Sequence, residues 1–368
     1  MISSKQVTHC DTQDERISDW ALLRRRGGRR LVIAFSGVNS HAGSYAYYAS
    51  FAMPGVDQLL LNCPDNGWYF KGVPVDGGVP ALQSTVSFLQ RVSAQYDETV
   101  VIGGSMGAYA ALLYGSELPG AHVLAMSPEI YPGVRRGYFN NLARVPELPL
   151  CLSAVFVRQP DFRPWIVVGE KKATDLFCMS EVNSPRAISI RNGYHHVPTV
   201  LHQFFSGLGN ILAPLVAGRL HEALRALSGQ MLKWPELSNL LYLMELGKVP
   251  IERSMTWLQL LPADFYGRGY LALAIAAQFE RRAETDKALD YAALAVHANP
   301  DDLEAHAVHD RLWTAIHGTP PEPRFESYIN PAHQGVVNYQ QRLTELRKLH
   351  GMEPILFTEK QGSVAQIG

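Results

Sequence analysis

Cysteine is scarce in this 368-residue sequence: Cys10, Cys63, Cys151 and Cys178 are its only four, far apart and with no CxxC pair. That spacing argues against a disulfide framework and a zinc-ligand pattern, and it fits reduced thiols in a cytoplasmic setting. No run of about 18 apolar residues occurs, so no membrane span is expected. The polar opening, MISSKQVTHCDTQDERISDW, holds no apolar stretch of the secretory-leader kind. An excess of one charge is missing too: 33 Lys and Arg face 34 Asp and Glu, for a formal charge of −1. This removes a basic footprint for nucleic acid and any general electrostatic pull toward an anionic membrane. What is present is an ordinary globular composition, 47% apolar and 18% charged, over a length that suggests two domains or one large domain with an appendage.

After an N-terminal extension, residues 1–29, short apolar runs alternate with helical patterns. RLVIAFSG, DQLLLNC, ETVVIGG, HVLAMSP, PWIVVGE and RAISIRNG read as strands buried on both faces, as in a parallel sheet. Between them, ALQSTVSFLQRVSAQY (81–96), SMGAYAALLYGSE (105–117) and VPTVLHQFFSGLGNIL (197–212) read as helices. The expected fold is therefore an α/β doubly wound, mostly parallel sheet over residues 30–213. Residues 129–163 break the rhythm and read as an insertion or cap where a substrate would enter.

Beyond residue 213 the strand signals stop. Residues 214–318 read as an all-α domain, with helices expected at 217–227, 236–247 and 251–261. In GYLALAIAAQFERRAETDKALDYAALAVHANP (269–300), Ala276, Ala288, Ala295 and Phe279 fall at the small and bulky positions of a 34-residue helical repeat. This segment resembles one tetratricopeptide repeat, which implies a surface for a protein partner. Residues 319–368 form a proline-containing tail with a helix expected at 338–351.

The sharpest local feature is Gly103-Gly104-Ser105-Met106-Gly107, a G-x-S-x-G pattern with an apolar strand before it and an alanine-rich helix after it. A serine at such a turn stands above the sheet at a helix N-terminus, where backbone N–H groups can stabilise an oxyanion. A phosphate cradle would carry another spacing, GxxxxGK[ST], which is absent. A serine nucleophile needs a base, and the base an orienting acid. Two acids follow the strand PWIVVGE, Asp175 and Glu170, with Asp175 preferred because a looser position lets its carboxylate reach an imidazole. Two bases follow RAISIRNG, His195 and His196. Candidate oxyanion donors are the N–H groups of Met106, Val38 and Asn39. Asp65, Asn66, Trp68 and Tyr69, with His41, are candidate substrate-binding residues.

With Ser105, then Asp175, then His195 in that order, residues 30–213 resemble the α/β-hydrolase superfamily. Alignment with the G-H-x-V stretch of those hydrolases favours His195 over His196. The resemblance implies ester or related acyl cleavage through an acyl-enzyme, with no metal or organic cofactor. AFSGVN, PDNGWYFKG and GGSMGAYAAL are also similar to a bacterial group of hydrolase-like proteins found near surface-polysaccharide and protein-glycosylation systems. That likeness implies an acylated sugar or glycan substrate. Two alternatives stay open: an acyltransferase using the same residues, and a non-catalytic scaffold acting through the helical domain.

Overall fold

The computed structural model describes residues 13–75, 77–143, 149–180, 182, 184–328 and 337–353. Eight strands form one sheet: β1 (Gln13–Ser18), β2 (Ala21–Arg25), β3 (Arg30–Phe35), β4 (Val56–Leu61), β5 (Glu98–Gly104), β6 (His122–Met126), β7 (Trp165–Gly169) and β8 (Ala187–Ile190). Their order is β1-β2-β4-β3-β5-β6-β7-β8. From β4 to β8 every pairing is parallel, while β1 and β2 add an antiparallel ribbon at one edge. The sheet thus begins inside the segment expected to be an extension. Its signal was weak because QDERIS is polar and ALLRR is short.

Fourteen helices accompany the strands among the described residues. Around the sheet lie α1 (Leu82–Ser93), α2 (Met106–Gly115), α3 (Tyr138–Leu142), α4 (Ser153–Arg158), α5 (Ala173–Ser180), α6 (Val197–Phe204), α7 (Leu212–Val216) and α8 (Leu220–Ala223). The helical region continues with α9 (Pro235–Glu245), α10 (Ile251–Leu260), α11 (Gly267–Arg281), α12 (Thr285–Ala298), α13 (Leu303–His317) and α14 (Val337–Leu349). The helix expected over 197–212 is broken at Gly207, whose φ of 133° only glycine adopts readily. The helix expected at 217–227 contracts to α8, four residues. Among the described residues, 129–163 carry only α3 and α4 beside the sheet.

Alternating side chains of the central strands feed two cores. Leu31, Ile33 and Phe35 face one side of β3, Val32 and Ala34 the other. The first core runs without a break from the sheet through α2 and α5 into α9–α12. The helical region is therefore packed on the sheet rather than tethered to it. Within it α11 and α12 form an antiparallel hairpin in which Ala276, Ala288 and Ala295 are fully buried. The small side chains let the two backbones approach.

The topology also sets where a site can form. The chain steps from β3 outward to β4, then returns to the other side of β3 for β5. Loops leaving the carboxyl ends of β3 and β5 diverge there, opening the crevice in which α/β sheets bind ligands. Among the described residues, no helix is long and apolar enough to cross a membrane.

Candidate active site

Ser105 stands alone between the end of β5 and the start of α2, with φ 53° and ψ −120°. Side chains other than glycine rarely occupy that region. Local hydrogen bonds hold it there. The Ser105 N–H donates to the Met126 carbonyl at 2.8 Å, and its own carbonyl accepts from Ala108 N at 2.9 Å and Tyr109 N at 3.2 Å. The flanking glycines are a steric necessity. A Cβ on Gly103 would lie 2.1 Å from the Gly107 carbonyl oxygen, and one on Gly107 would lie 2.2 Å from that of Phe35.

Asp175, in the first turn of α5, and His195, in the loop after β8, are both buried. His195 Nδ1 lies 2.8 Å from Asp175 Oδ2, and His195 Nε2 lies 3.0 Å from Ser105 Oγ. With a proton assigned to Nδ1, the imidazole donates to the carboxylate and leaves Nε2 to accept the serine hydroxyl. The three side chains, 90 and 20 residues apart in sequence, thus form one hydrogen-bonded line.

The alternates fall elsewhere. His196 is exposed at the N-cap of α6, its ring centroid 6.2 Å from that of His195. Glu170 is turned away from His195 and buried among donors. Its Oε1 accepts from Ser189 Oγ at 2.8 Å, Met231 N at 2.9 Å and Tyr266 Oη at 2.9 Å. Tyr270 Oη lies 3.1 Å from its Oε2. Burial raises the Glu170 pKa above the usual carboxylate range. Glu170 is a staple between the sheet and the helical region.

Two of the three oxyanion candidates keep a free N–H. Met106 opens α2, and Val38 leaves β3, whose Phe35 is paired in register with Gly103 of β5. Neither N–H has an acceptor among the described residues. Asn39 differs: its N–H donates to Asn66 Oδ1 at 2.9 Å, so it is committed to shaping the loop.

The aromatic loop after β4 is a support, not a pocket wall. Trp68 and Tyr69 are fully buried, so neither can meet a substrate. Tyr69 Oη reaches the carbonyls of Ser36 at 2.9 Å and Leu61 at 3.2 Å, fixing the ends of β3 and β4. Trp68 packs edge-on against Phe139 of α3. Asn66 is buried too, and its Nδ2 donates to the Leu142 carbonyl at 3.0 Å, joining this loop to α3. Asp65 and His41 are exposed, and the His41 carbonyl accepts from Asn62 Nδ2.

Three further residues frame the site. Tyr138 of α3 stacks on His195, ring centroids 4.1 Å apart. Lys172 Nζ lies 5.2 Å from the centroid of that tyrosine ring. Glu129, just past β6, is buried, and its Oε2 accepts the Phe139 N–H at 2.8 Å. Burial pushes its carboxyl up to about 7, with Asp175 adding repulsion. Nothing in the sequence marked these positions beyond their place in or beside the expected cap.

No family model matches the chain, and no curated protein matches it. Among solved structures it is similar to the Pyrococcus furiosus esterase Pf2001, at 17% sequence identity and a TM-score of 0.33. The match covers 57% of this chain and 87% of that one.

Proposed function

We propose that this chain is a serine hydrolase of the α/β-hydrolase type, cleaving an ester or related acyl bond through Ser105, His195 and Asp175. The observation that carries the reading is the line Ser105 Oγ to His195 Nε2 at 3.0 Å and His195 Nδ1 to Asp175 at 2.8 Å, with the serine on a strained turn at a helix N-terminus.

In this reading Ser105 Oγ attacks the carbonyl carbon while its proton passes to His195 Nε2. The carbonyl oxygen becomes an oxyanion, received by the N–H groups of Met106 and Val38. Collapse of the intermediate breaks the ester C–O bond, and the departing alcohol takes the proton from His195. Water, deprotonated by the same imidazole, then attacks the acyl-serine. The acid leaves and Ser105 regains its hydrogen. Asp175 holds the imidazole and stabilises its cation. No step needs a metal or an organic cofactor.

An acylated sugar or glycan is the proposed substrate, supported by the likeness of AFSGVN, PDNGWYFKG and GGSMGAYAAL to hydrolase-like proteins near polysaccharide systems. An alcohol in place of water would make the same site an acyltransferase. The α11–α12 hairpin, read as a tetratricopeptide-like repeat, would offer a protein partner its surface.

A fluorophosphonate probe is expected to label the wild-type protein, and Ser105→Ala is expected to lose the label together with p-nitrophenyl acetate hydrolysis. Persistent labelling of Ser105→Ala would overturn the assignment. Product analysis on O-acetylated oligosaccharides, with and without added alcohol, separates hydrolysis from transfer.

A further inference from the structure

The helical region reaches the candidate site through the loop that carries His195. Arg191 Nη2 donates to Asn299 Oδ1 at 2.8 Å and to Asp301 Oδ1 at 2.7 Å. The Asn192 N–H donates to Tyr270 Oη at 2.9 Å, and Asn192 Oδ1 accepts from Asn299 Nδ2 at 2.9 Å. Tyr194 Oη donates to Glu304 Oε2 at 2.9 Å. Beneath the loop, Lys171 Nζ lies 2.6 Å from Asp302 Oδ1 and 2.7 Å from Glu304 Oε2, its side chain only 5% exposed. The Lys171 N–H in turn donates to the Gly193 carbonyl at 2.8 Å.

The helical region also packs on α5 and holds Glu170, but its polar contacts are concentrated on the short loop between β8 and α6. Here residues 191, 192 and 194 are each gripped by side chains from α11, the turn between α12 and α13, or the first turn of α13. A buried ion cluster is a poor way to add stability, because desolvation offsets most of the attraction. What it does impose is direction: each charge-assisted bond fixes a distance and an angle. Direction is what the imidazole needs. Its two ring nitrogens must both stay aligned, and a misplacement of about 1 Å can cost on the order of 10²-fold in rate. The loop between β8 and α6 is six residues long, from Arg191 to His196, so its anchors set its conformation.

We propose that the segment from Asn299 to Glu304, a turn and the start of α13, together with Tyr270, is a clamp that positions His195, and that the helical region is therefore part of the catalytic unit. The proposal rests on reading Ser105, His195 and Asp175 as the catalytic residues. Glu304 and Tyr270 touch no reacting atom and act through the loop.

The test uses the full-length protein with Glu304→Gln and Tyr270→Phe, and Tyr194→Phe as the mildest change. Three quantities are read: kcat and KM on p-nitrophenyl acetate, the rate of fluorophosphonate labelling, and hydrogen–deuterium exchange of the peptide spanning 188–197. Expected are a 3- to 10-fold fall in kcat and labelling rate, little change in KM, and faster exchange in that peptide alone. Glu304→Asp should recover part of the loss. The proposal is overturned if the loop exchanges as in wild type, or if it loosens while kcat stays within two-fold. If the wild-type protein neither labels nor turns over while the variants still loosen the loop, the catalytic reading fails, and with it the positioning role.

Discussion

Tyr138 lies nearly flat on His195, the two rings 28° from parallel with centroids 4.1 Å apart. The contact joins α3 to the imidazole that links Ser105 and Asp175. A ring over one face leaves the imidazole its two in-plane hydrogen bonds and hinders rotation out of that plane. It also presents a π-face to the positive charge that the proposed mechanism places on His195.

Tyr138→Leu should therefore lower kcat on p-nitrophenyl acetate by about 2- to 10-fold, the equivalent of roughly 0.5–1.5 kcal/mol for an aromatic pair. Tyr138→Phe, which keeps the ring, should remain within two-fold of wild type. Equal losses in the two variants would show that the hydroxyl, not the stacked face, matters.

Glu129 makes stability depend on pH. Its carboxyl is pushed up to about 7 by burial, above the ordinary 4.5 of the unfolded chain. Between those values the folded state holds a proton that the unfolded state has released. Its contribution is fully present below pH 4.5 and is lost as pH rises through 7. The shift corresponds to about 3 kcal/mol. Glu129→Gln keeps an acceptor for the Phe139 N–H and removes the titration. Urea melts at pH 5 and pH 8 should show a smaller stability difference for this variant than for wild type. An unchanged difference would place the titration elsewhere.

Gly229 backs the Glu170 staple. A Cβ there would lie 1.9 Å from Glu170 Oε1, a separation no side chain tolerates. Gly229→Ala must push the carboxylate off Ser189, Met231 and Tyr266, or push the chain away from it. A loss of about 2–4 kcal/mol is expected, from overpacking and unpaired buried donors. Thermal unfolding measures it, and a melting temperature within one degree of wild type would refute the staple.

Much of this was legible in the sequence because it depends on local pattern. Apolar runs marked the parallel strands from β3 to β8, and glycines around Ser105 marked a turn that larger residues cannot make. Strand and loop order was enough to nominate Asp175 and His195, and the fold brings both to Ser105. Long-range burial was not legible. Trp68 and Tyr69 sit in a polar, turn-rich segment, so nothing nearby shows that Trp68 is buried against Phe139 and Tyr69 against Phe35. Glu170 and Asp175 are five residues apart on one strand exit, and only the donors from Ser189, Met231 and Tyr266 separate their environments. The β1–β2 ribbon is hard to read because β1, at the sheet edge, is polar, and β2, though paired on both sides, is only five residues long. Asn39 and Val38 are adjacent, and only the reach of Asn66 distinguishes their N–H groups.

The Glu170 staple also has a consequence for synthesis. Tyr266 and Tyr270 follow it by 96 and 100 residues, and Asp302 follows Lys171 by 131. At roughly 5–20 residues per second, a ribosome completes β7 about 7–27 seconds before the last of these groups exists. During that interval the nascent chain holds a carboxylate and an ammonium whose buried companions have not been made. The native contacts that hold the loop bearing His195 are complete only once translation has passed residue 304.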